Sequence, residues 1–442
     1  MIKTAITGNW RFAVYLLIAA LLVLINYCTL RTEFTQLIVL YSSVFALFAL
    51  VIRYWEDEYL VTEAKFVGIA LRFIILFSLP NLTDDFYRFI WDGQLLLHHQ
   101  NPYASMPDSV VSQQFFGIRS DVLNMHLYDQ LNSKPYFTIY PPLSQCLFAI
   151  TGWMSNGNMF LQIVLLKFSI FLFEAGSILL LPRILQQLQL PAKNQLLYTL
   201  NPLIILELTG NLHFEAIMVF FMLTAIWLLQ KNKFTLSAVA FGFAIGAKLW
   251  PIMLLPLFFR YIGLKKTIQY CLISGVTALA VLFPMVMQYV NVASSLNLYF
   301  QQFEFNGSIY YVLRWLINKD AHFESFSLMR KLLPLATFFG IIILSIRYKR
   351  DQFFSAMLIA FSIYCLFATT VHPWYLTPLI MLSVLSNYRY PILWSLLIYF
   401  TYITYINPSY PENYWVVFGE YFILIGYTIV ENIVIRSNPK RI

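Results

Sequence analysis

Apolar residues gather in long runs divided by short polar breaks. Runs near 11–29, 36–52, 66–80, 159–181, 196–209, 215–229, 268–289, 331–346, 353–371, 376–388, 392–406 and 417–435 approach the roughly 20 residues that a membrane-spanning helix needs. A further stretch, 234–259, holds Lys248 and Pro251 near its middle. It reads as two short helices meeting at Lys248-Leu-Trp-Pro. The run from Phe12 to Ile25 has no small-residue cleavage site after it, so it is expected as a retained helix and not a signal peptide. The pattern predicts an all-α, polytopic transmembrane bundle of about 12–14 spans, forming one domain over 1–442.

Composition sharpens this picture. Apolar residues make up 60% of the chain and charged residues 11%, against about 25% in soluble domains. So few charges could not cover a surface in water, and such hydrophobicity excludes disorder. Cys28, Cys146, Cys271 and Cys365 lie far apart in apolar segments with no CxxC. They are expected as small buried hydrophobes, with neither a disulfide framework nor a metal site.

The net charge of +8 is a signal of topology. The basic residues are scattered singly, which speaks against a nucleic-acid partner. With both termini in the cytoplasm, the cytoplasmic segments carry most of them, among them Arg53, Lys65, Arg183, Lys193, Lys231, Lys233, Lys265, Lys266, Lys349 and Arg350. This holds only if the stretch 140–154 does not cross. It begins with Tyr140-Pro-Pro and contains Ser144 and Gln145, so it is expected to lie at the external interface. Two long external loops result, about 81–158 and about 290–330, and loops of such length usually carry function.

The first loop opens Asn81-Leu-Thr-Asp84-Asp85-Phe-Tyr-Arg88-Phe-Ile-Trp91-Asp92-Gly93. Either adjacent carboxylate can serve as a general base toward a hydroxyl. The structural alternative is an N-cap at Thr83 with both aspartates in a first helical turn, where negative charge is favoured. On a helix Asp85, Arg88 and Asp92 share one face. His98-His99-Gln100-Asn101-Pro102-Tyr103 follows, and Asn-Pro ends the helix near His99. Adjacent histidines point to different sides, so no metal is expected there. Asn211-Leu-His213-Phe-Glu215 is a second cluster at a membrane boundary. Glu174 and Glu207, within apolar runs, each call for a polar partner, and Lys248 calls for an anion. The second long loop carries Asn306-Gly307, a turn signal, and Arg314. Val371-His372-Pro373-Trp374-Tyr375 joins two apolar runs. Its aromatic pair suits an interfacial anchor, while His372 can donate to a phosphate. These groups map to one membrane face, as an enzyme acting on a lipid-linked anionic substrate requires.

Six segments in order carry a resemblance: Asp84-Asp85-Phe-Tyr-Arg88-Phe-Ile-Trp91-Asp92-Gly93 with Asn101-Pro-Tyr103, Tyr140-Pro-Pro-Leu143, His213-Phe-Glu215, the stretch 244–256 around Lys248, Phe305-Asn306-Gly-Ser-Ile-Tyr-Tyr311, and His372-Pro-Trp374-Tyr375-Leu-Thr-Pro-Leu379. Over roughly 80–380 the chain resembles the GT-C glycosyltransferases, most of all bacterial members that use polyprenyl-phosphate mannose. The resemblance implies a multi-pass enzyme of the bacterial inner membrane. It would move a sugar, mannose first among candidates, with inversion, onto an acceptor hydroxyl at the extracytoplasmic face. Lipid, glycan or another alcohol can be that acceptor. Asp85 would be the base, with Asp84 as runner-up or neighbour that raises its pKa. Lys248, His372, Arg314 and Arg88 would meet the donor phosphate. Asp92, Asn101, Tyr103, His213, Glu215, Asn306, Trp374 and Tyr375 would line the substrate cavity. No metal and no cofactor beyond the lipid-linked donor are implied. The competing readings are a lipid or oligosaccharide flippase, whose polar groups belong near the midplane of both halves, and a non-catalytic membrane subunit.

Overall fold

A computed structural model describes residues 10–115, 125–317 and 323–437. Both termini assigned to the cytoplasm lie outside the described residues, as do 116–124 and 318–322 within the two long loops. Among the described residues the chain is helical throughout, apart from an isolated bridge between Phe305 and Thr370.

The helices that carry the fold are numbered here. Helices α1 (Trp10–Cys28) and α2 (Phe34–Tyr54) pack on each other ahead of α3 (Glu58–Ile74). The long first loop holds α4 (Asp85–Leu97), two short helices and α5 (Pro142–Ser155). Then come α6 (Met159–Gln187), α7 (Glu215–Gln230), α8 (Phe234–Ala247) and α9 (Leu264–Val286). Helices α10 (Phe323–Arg347), α11 (Phe353–Phe367) and α12 (Tyr414–Ser437) complete the set.

Six of the described helices are long and apolar enough to cross a membrane: α1, α2, α6, α9, Leu328–Arg347 within α10, and α12. Pro202–Gly210 and α7 make a seventh if taken together, bent by 116°. Of the other expected runs, 66–80 and 353–371 fall on α3 and α11, of 17 and 15 residues. The rest resolve into shorter apolar pieces, among them α8, Trp250–Ile262, Pro373–Val384 and Tyr390–Ile406. Proline explains much of the breaking. Pro251, Pro256, Pro373, Pro378 and Pro391 fall in or at the start of these pieces, and each removes a backbone donor. The expected break at Lys248 is there: α8 ends at Ala247, and Lys248 is extended before a 3-10 turn begins at Trp250. Helix α5 has 14 residues and Trp153 on it is 73% exposed. It is not among the described helices long and apolar enough to cross a membrane.

Ionisable groups inside the bundle have polar partners, since a low dielectric makes an isolated ion costly. Buried Lys167 donates to the Ser78 hydroxyl at 2.8 Å and the Ile75 carbonyl at 3.3 Å. Arg72 Nε donates to Glu174 at 2.8 Å with both side chains fully buried. Thr209 and Tyr198 also donate to Glu174. The expected burial of the cysteines needs correction: Cys365 is buried, Cys271 partly so, and Cys28 and Cys146 are exposed. An apolar residue on the outer face of a membrane bundle meets lipid, so exposure there costs nothing.

Candidate functional site

The site begins at the N-terminus of α4. Asp84 precedes the helix and Asp85 is its first residue. The expected N-cap at Thr83 shifts by one residue: Asp84 takes that position without a side-chain cap bond, and the Thr83 hydroxyl accepts from the Asp85 N–H at 3.2 Å in a local turn before the helix. The two carboxylates then part. Asp84 is held by Arg31 from the turn after α1, and Arg31 also donates to Tyr410 at 3.2 Å while facing the Tyr405 ring. Asp85 has no ion-pair partner among the described residues. Its one side-chain contact is the Asn132 amide, a marginal 3.4 Å from Oδ1. It is partly exposed.

The rest of the α4 face faces inward. Arg88 Nε donates to Asp92 at 2.7 Å, with both side chains buried. Arg88 also donates to the carbonyls of Ser133 and Tyr136, and Gln145 from α5 donates to Asp92 at 2.8 Å. Arg88 and Asp92 thus tie the first long loop and α5 to α4. Asn101 caps a turn by accepting from the Tyr103 N–H, and buried Tyr103 packs with Leu282, Met285 and Val292. Its hydroxyl donates to the Tyr140 carbonyl.

A second group gathers around Trp374. The His213 ring stacks on one side at 3.8 Å between centroids, 15° from parallel. The His372 ring stacks at 4.4 Å and 7°, and Phe305 stacks on His372 at 4.7 Å. Lys248 pairs with Glu215 at the start of α7, and its ammonium lies 4.6 Å from the Trp250 ring and 5.5 Å from the Tyr375 ring. Tyr375 meets His372 edge-on. His213 and Lys248 both lie within electrostatic reach of His372. Asp85 and Glu215 are within reach of His213. Asn211 closes the link, its Oδ1 accepting from the Leu82 N–H at 3.4 Å. The fold therefore brings Asp85, His213, Glu215, Lys248, His372, Trp374 and Tyr375 together from four separate stretches of chain.

Arg314 and Asn306 are placed elsewhere. Arg314 and Arg330 both pair with Glu304, which also accepts from Tyr310. Asn306 is buried. Its N–H donates to Glu412 at 2.7 Å and its amide to Glu420 at 3.1 Å, while Tyr421 donates to its carbonyl. Burial holds the Glu412 carboxyl above its usual range. Asn306 thereby fixes Phe305, which pairs with Thr369 and Val371 by main-chain hydrogen bonds and so supports the ring column. A cleft of about 470 Å³ opens beside Glu412, lined by Ile403, Asn407, Tyr414 and Trp415 among others.

Sequence reasoning left the partner of Glu207 open. Glu207 sits in a π turn, Ile205–Gly210, and accepts from Tyr399 at 2.6 Å and Tyr402 at 3.0 Å. Its other partner is His213. The only signal in the sequence was a carboxylate inside an apolar run, six residues before a histidine.

The arrangement sets a carboxylate without an ion-pair partner among the described residues within electrostatic reach of His213, which stacks on Trp374, with the Lys248–Glu215 pair beside the same aromatic group. A model of the family described as alpha-(1->6)-mannopyranosyltransferase, N-terminal domain, matches residues 27–262, more than half of the chain. That span includes Asp84, Asp85, His213, Glu215 and Lys248 and ends before His372 and Trp374. No curated protein and no solved structure matches the chain significantly.

Proposed function

Since the chain belongs to the alpha-(1->6)-mannopyranosyltransferase family, and is thus a membrane glycosyltransferase of the GT-C type that handles mannose, we propose that it transfers mannose from a polyprenyl-phosphate donor to a sugar hydroxyl. Asp85 is the general base. Its carboxylate takes the proton of the acceptor hydroxyl while that oxygen attacks the anomeric carbon. The bond from that carbon to the phosphate oxygen breaks, and the electron pair leaves with the lipid phosphate. Inversion that ends in an alpha bond starts from a beta-linked donor. The family's description names a 1->6 bond, so the acceptor is the 6-hydroxyl of a sugar.

The observation that carries this reading is the split between the two aspartates. Arg31 holds Asp84, whereas Asp85 is free of ion pairs among the described residues and lies within electrostatic reach of His213. A base must keep a lone pair free, and negative charge developing on a leaving phosphate calls for fixed cations. Lys248 supplies one. It is 31% exposed and already close to two rings, and a donor phosphate in reach would share it with Glu215. The glutamate and the aromatic residues of the 403–415 cleft suit the hydroxyls and apolar faces of a sugar acceptor. Placing the site on the extracytoplasmic face of a bacterial inner membrane follows from the bias of Lys and Arg along the chain.

The test is transfer from polyprenyl-phosphate mannose by purified protein. Asp85→Asn should lower turnover by roughly 10²–10⁴-fold, the range of general-base catalysis. Turnover kept at the wild-type level would overturn the assignment.

A further inference from the structure

His213 is held with unusual care for a residue between two helices. The preceding residue, Leu212, has φ 63°, a left-handed conformation that a leucine adopts at a cost. Such a cost persists where surrounding structure enforces it and often marks a functional site. The segment before it is a π turn, again a form that recurs at functional sites. The wide turn lets Glu207 reach both ways. Tyr399 and Tyr402 donate to its Oε1. Its main-chain oxygen accepts from His213 Nδ1 at 2.8 Å, with carboxylate Oε2 3.4 Å from the same nitrogen. Tyr41 stacks on Tyr399 at 3.6 Å, which fixes the tyrosine in turn.

This leaves one ring nitrogen. With Nδ1–H facing Glu207, Nε2 is buried and has no hydrogen-bond partner among the described residues. Buried polar atoms are rarely left so. On the other side of Trp374, His372 Nδ1 is also buried and without a partner. The charged groups acting on His213 are Glu207 behind it, Glu215 at the start of α7 and Asp85 at the start of α4. Lys248, paired with Glu215, completes the surround.

We infer that Glu207 is the positioning residue for His213, and that Nε2 of the doubly protonated His213 ring donates to the anionic phosphate of the polyprenyl donor. The inference rests on the proposed function and names a part of its donor site. The Glu207 main-chain oxygen takes the Nδ1–H, and its carboxylate, 3.4 Å from the same nitrogen, favours the imidazolium form, in which Nε2 also carries a proton. The two tyrosines hold Glu207 against rotation inside an apolar bundle. Glu207 itself stays away from the substrate and acts only through the ring.

The experiment is NMR on ¹⁵N-histidine-labelled protein in phosphatidylcholine nanodiscs. The chain has 6 histidines, and His213→Gln identifies the His213 signals. Adding undecaprenyl phosphate should shift the Nε2 resonance of His213, while inorganic phosphate at equal concentration shifts it far less. In Glu207→Gln the Nδ1 signal should move, and the lipid phosphate needed for half the shift should rise about tenfold. Tyr399→Phe and Tyr402→Phe each remove one hydroxyl and should give the same changes in smaller measure, which keeps the question open to test should Glu207→Gln fold badly. An Nε2 resonance indifferent to undecaprenyl phosphate, or a Glu207→Gln protein with the wild-type Nδ1 signal and midpoint, overturns the inference. None of these readouts needs turnover. If Asp85→Asn abolishes transfer while Nε2 ignores the lipid phosphate, the proposed function stands and the role of His213 falls. If Nε2 responds as expected but no polyprenyl-phosphate sugar is ever transferred, the reverse holds.

Discussion

Asp84 and Asp85 share a residue type and a place in the chain, yet only their partners distinguish them. Arg31 comes from 53 residues upstream to hold Asp84, and Asp85 keeps an oxygen free beside the end of a helix. Arg31→Ala should therefore act indirectly. It leaves two unpaired carboxylates side by side, which raises the pKa of whichever is protonated first. The acidic limb of the pH–rate profile should move upward, while Asp84→Asn in the same background should restore it. Lys248 meets a different constraint, because Glu215 already holds it. Lys248→Ala removes a charge-assisted contact of about 1.5–3 kcal/mol, so donor KM should rise roughly tenfold or more with turnover at saturation less affected. Equal donor affinity in both proteins would mark the lysine as a structural partner of Glu215. Asp85, Lys248, His213 and His372 were legible in the sequence as ionisable residues beside apolar runs. Glu207 was legible only as a buried acid. Its partners, Tyr399 and Tyr402, lie nearly 200 residues on in 3-10 turns where no short-range pattern points back to it.

At the scale of elements, α4 is the part that aims the base, and its fit on α5 sets where Asp85 sits. Gly93 is the point of closest approach. A Cβ there would stand 2.5 Å from the Phe148 carbonyl oxygen, a backbone atom that cannot step aside. Gly93→Ala should push the two helices apart at a cost of about 1–3 kcal/mol, lowering the melting temperature and turnover together. Thermal unfolding of the purified variant measures the first, and an unchanged melting temperature would show that the pair has slack. The stack of Phe89 on Phe148 and the contact from Gln145 to Asp92 strengthen the same seam. The apolar runs and the break at Lys248-Leu-Trp-Pro were readable in advance, whereas the short elements with Pro373, Pro378 and Pro391 in their first turns were expected as parts of longer spans. The bend of 116° between Pro202–Gly210 and α7 was not readable, because both halves are equally apolar and the apolar run gives no sign of direction.

Across the whole molecule, the site exists only because distant segments meet. The column of Phe305, His372, Trp374 and His213 joins stretches near 305, 372 and 213, and Asn211 ties the last to the start of α4. The sidedness of this assembly is open to direct test. A short epitope inserted between Asn156 and Gly157, in the exposed turn after α5, should be labelled from outside intact cells, and labelling only after permeabilisation would reverse the topology. The sequence by itself determined the membrane class and helical architecture, since apolar run length and scarcity of charge dictate both without reference to partners. It also determined which residues were chemically eligible, since an ionisable group in such a setting stands out by type alone. Only the tertiary structure decided which of them act together. It paired Asp84 and spared Asp85, and turned Arg88 and Asp92 inward as a brace. It also drew Arg314 to Glu304 and set Glu207 behind His213. Pairing of charges depends on distances of a few ångströms between segments hundreds of residues apart, and a linear pattern holds no measure of those distances.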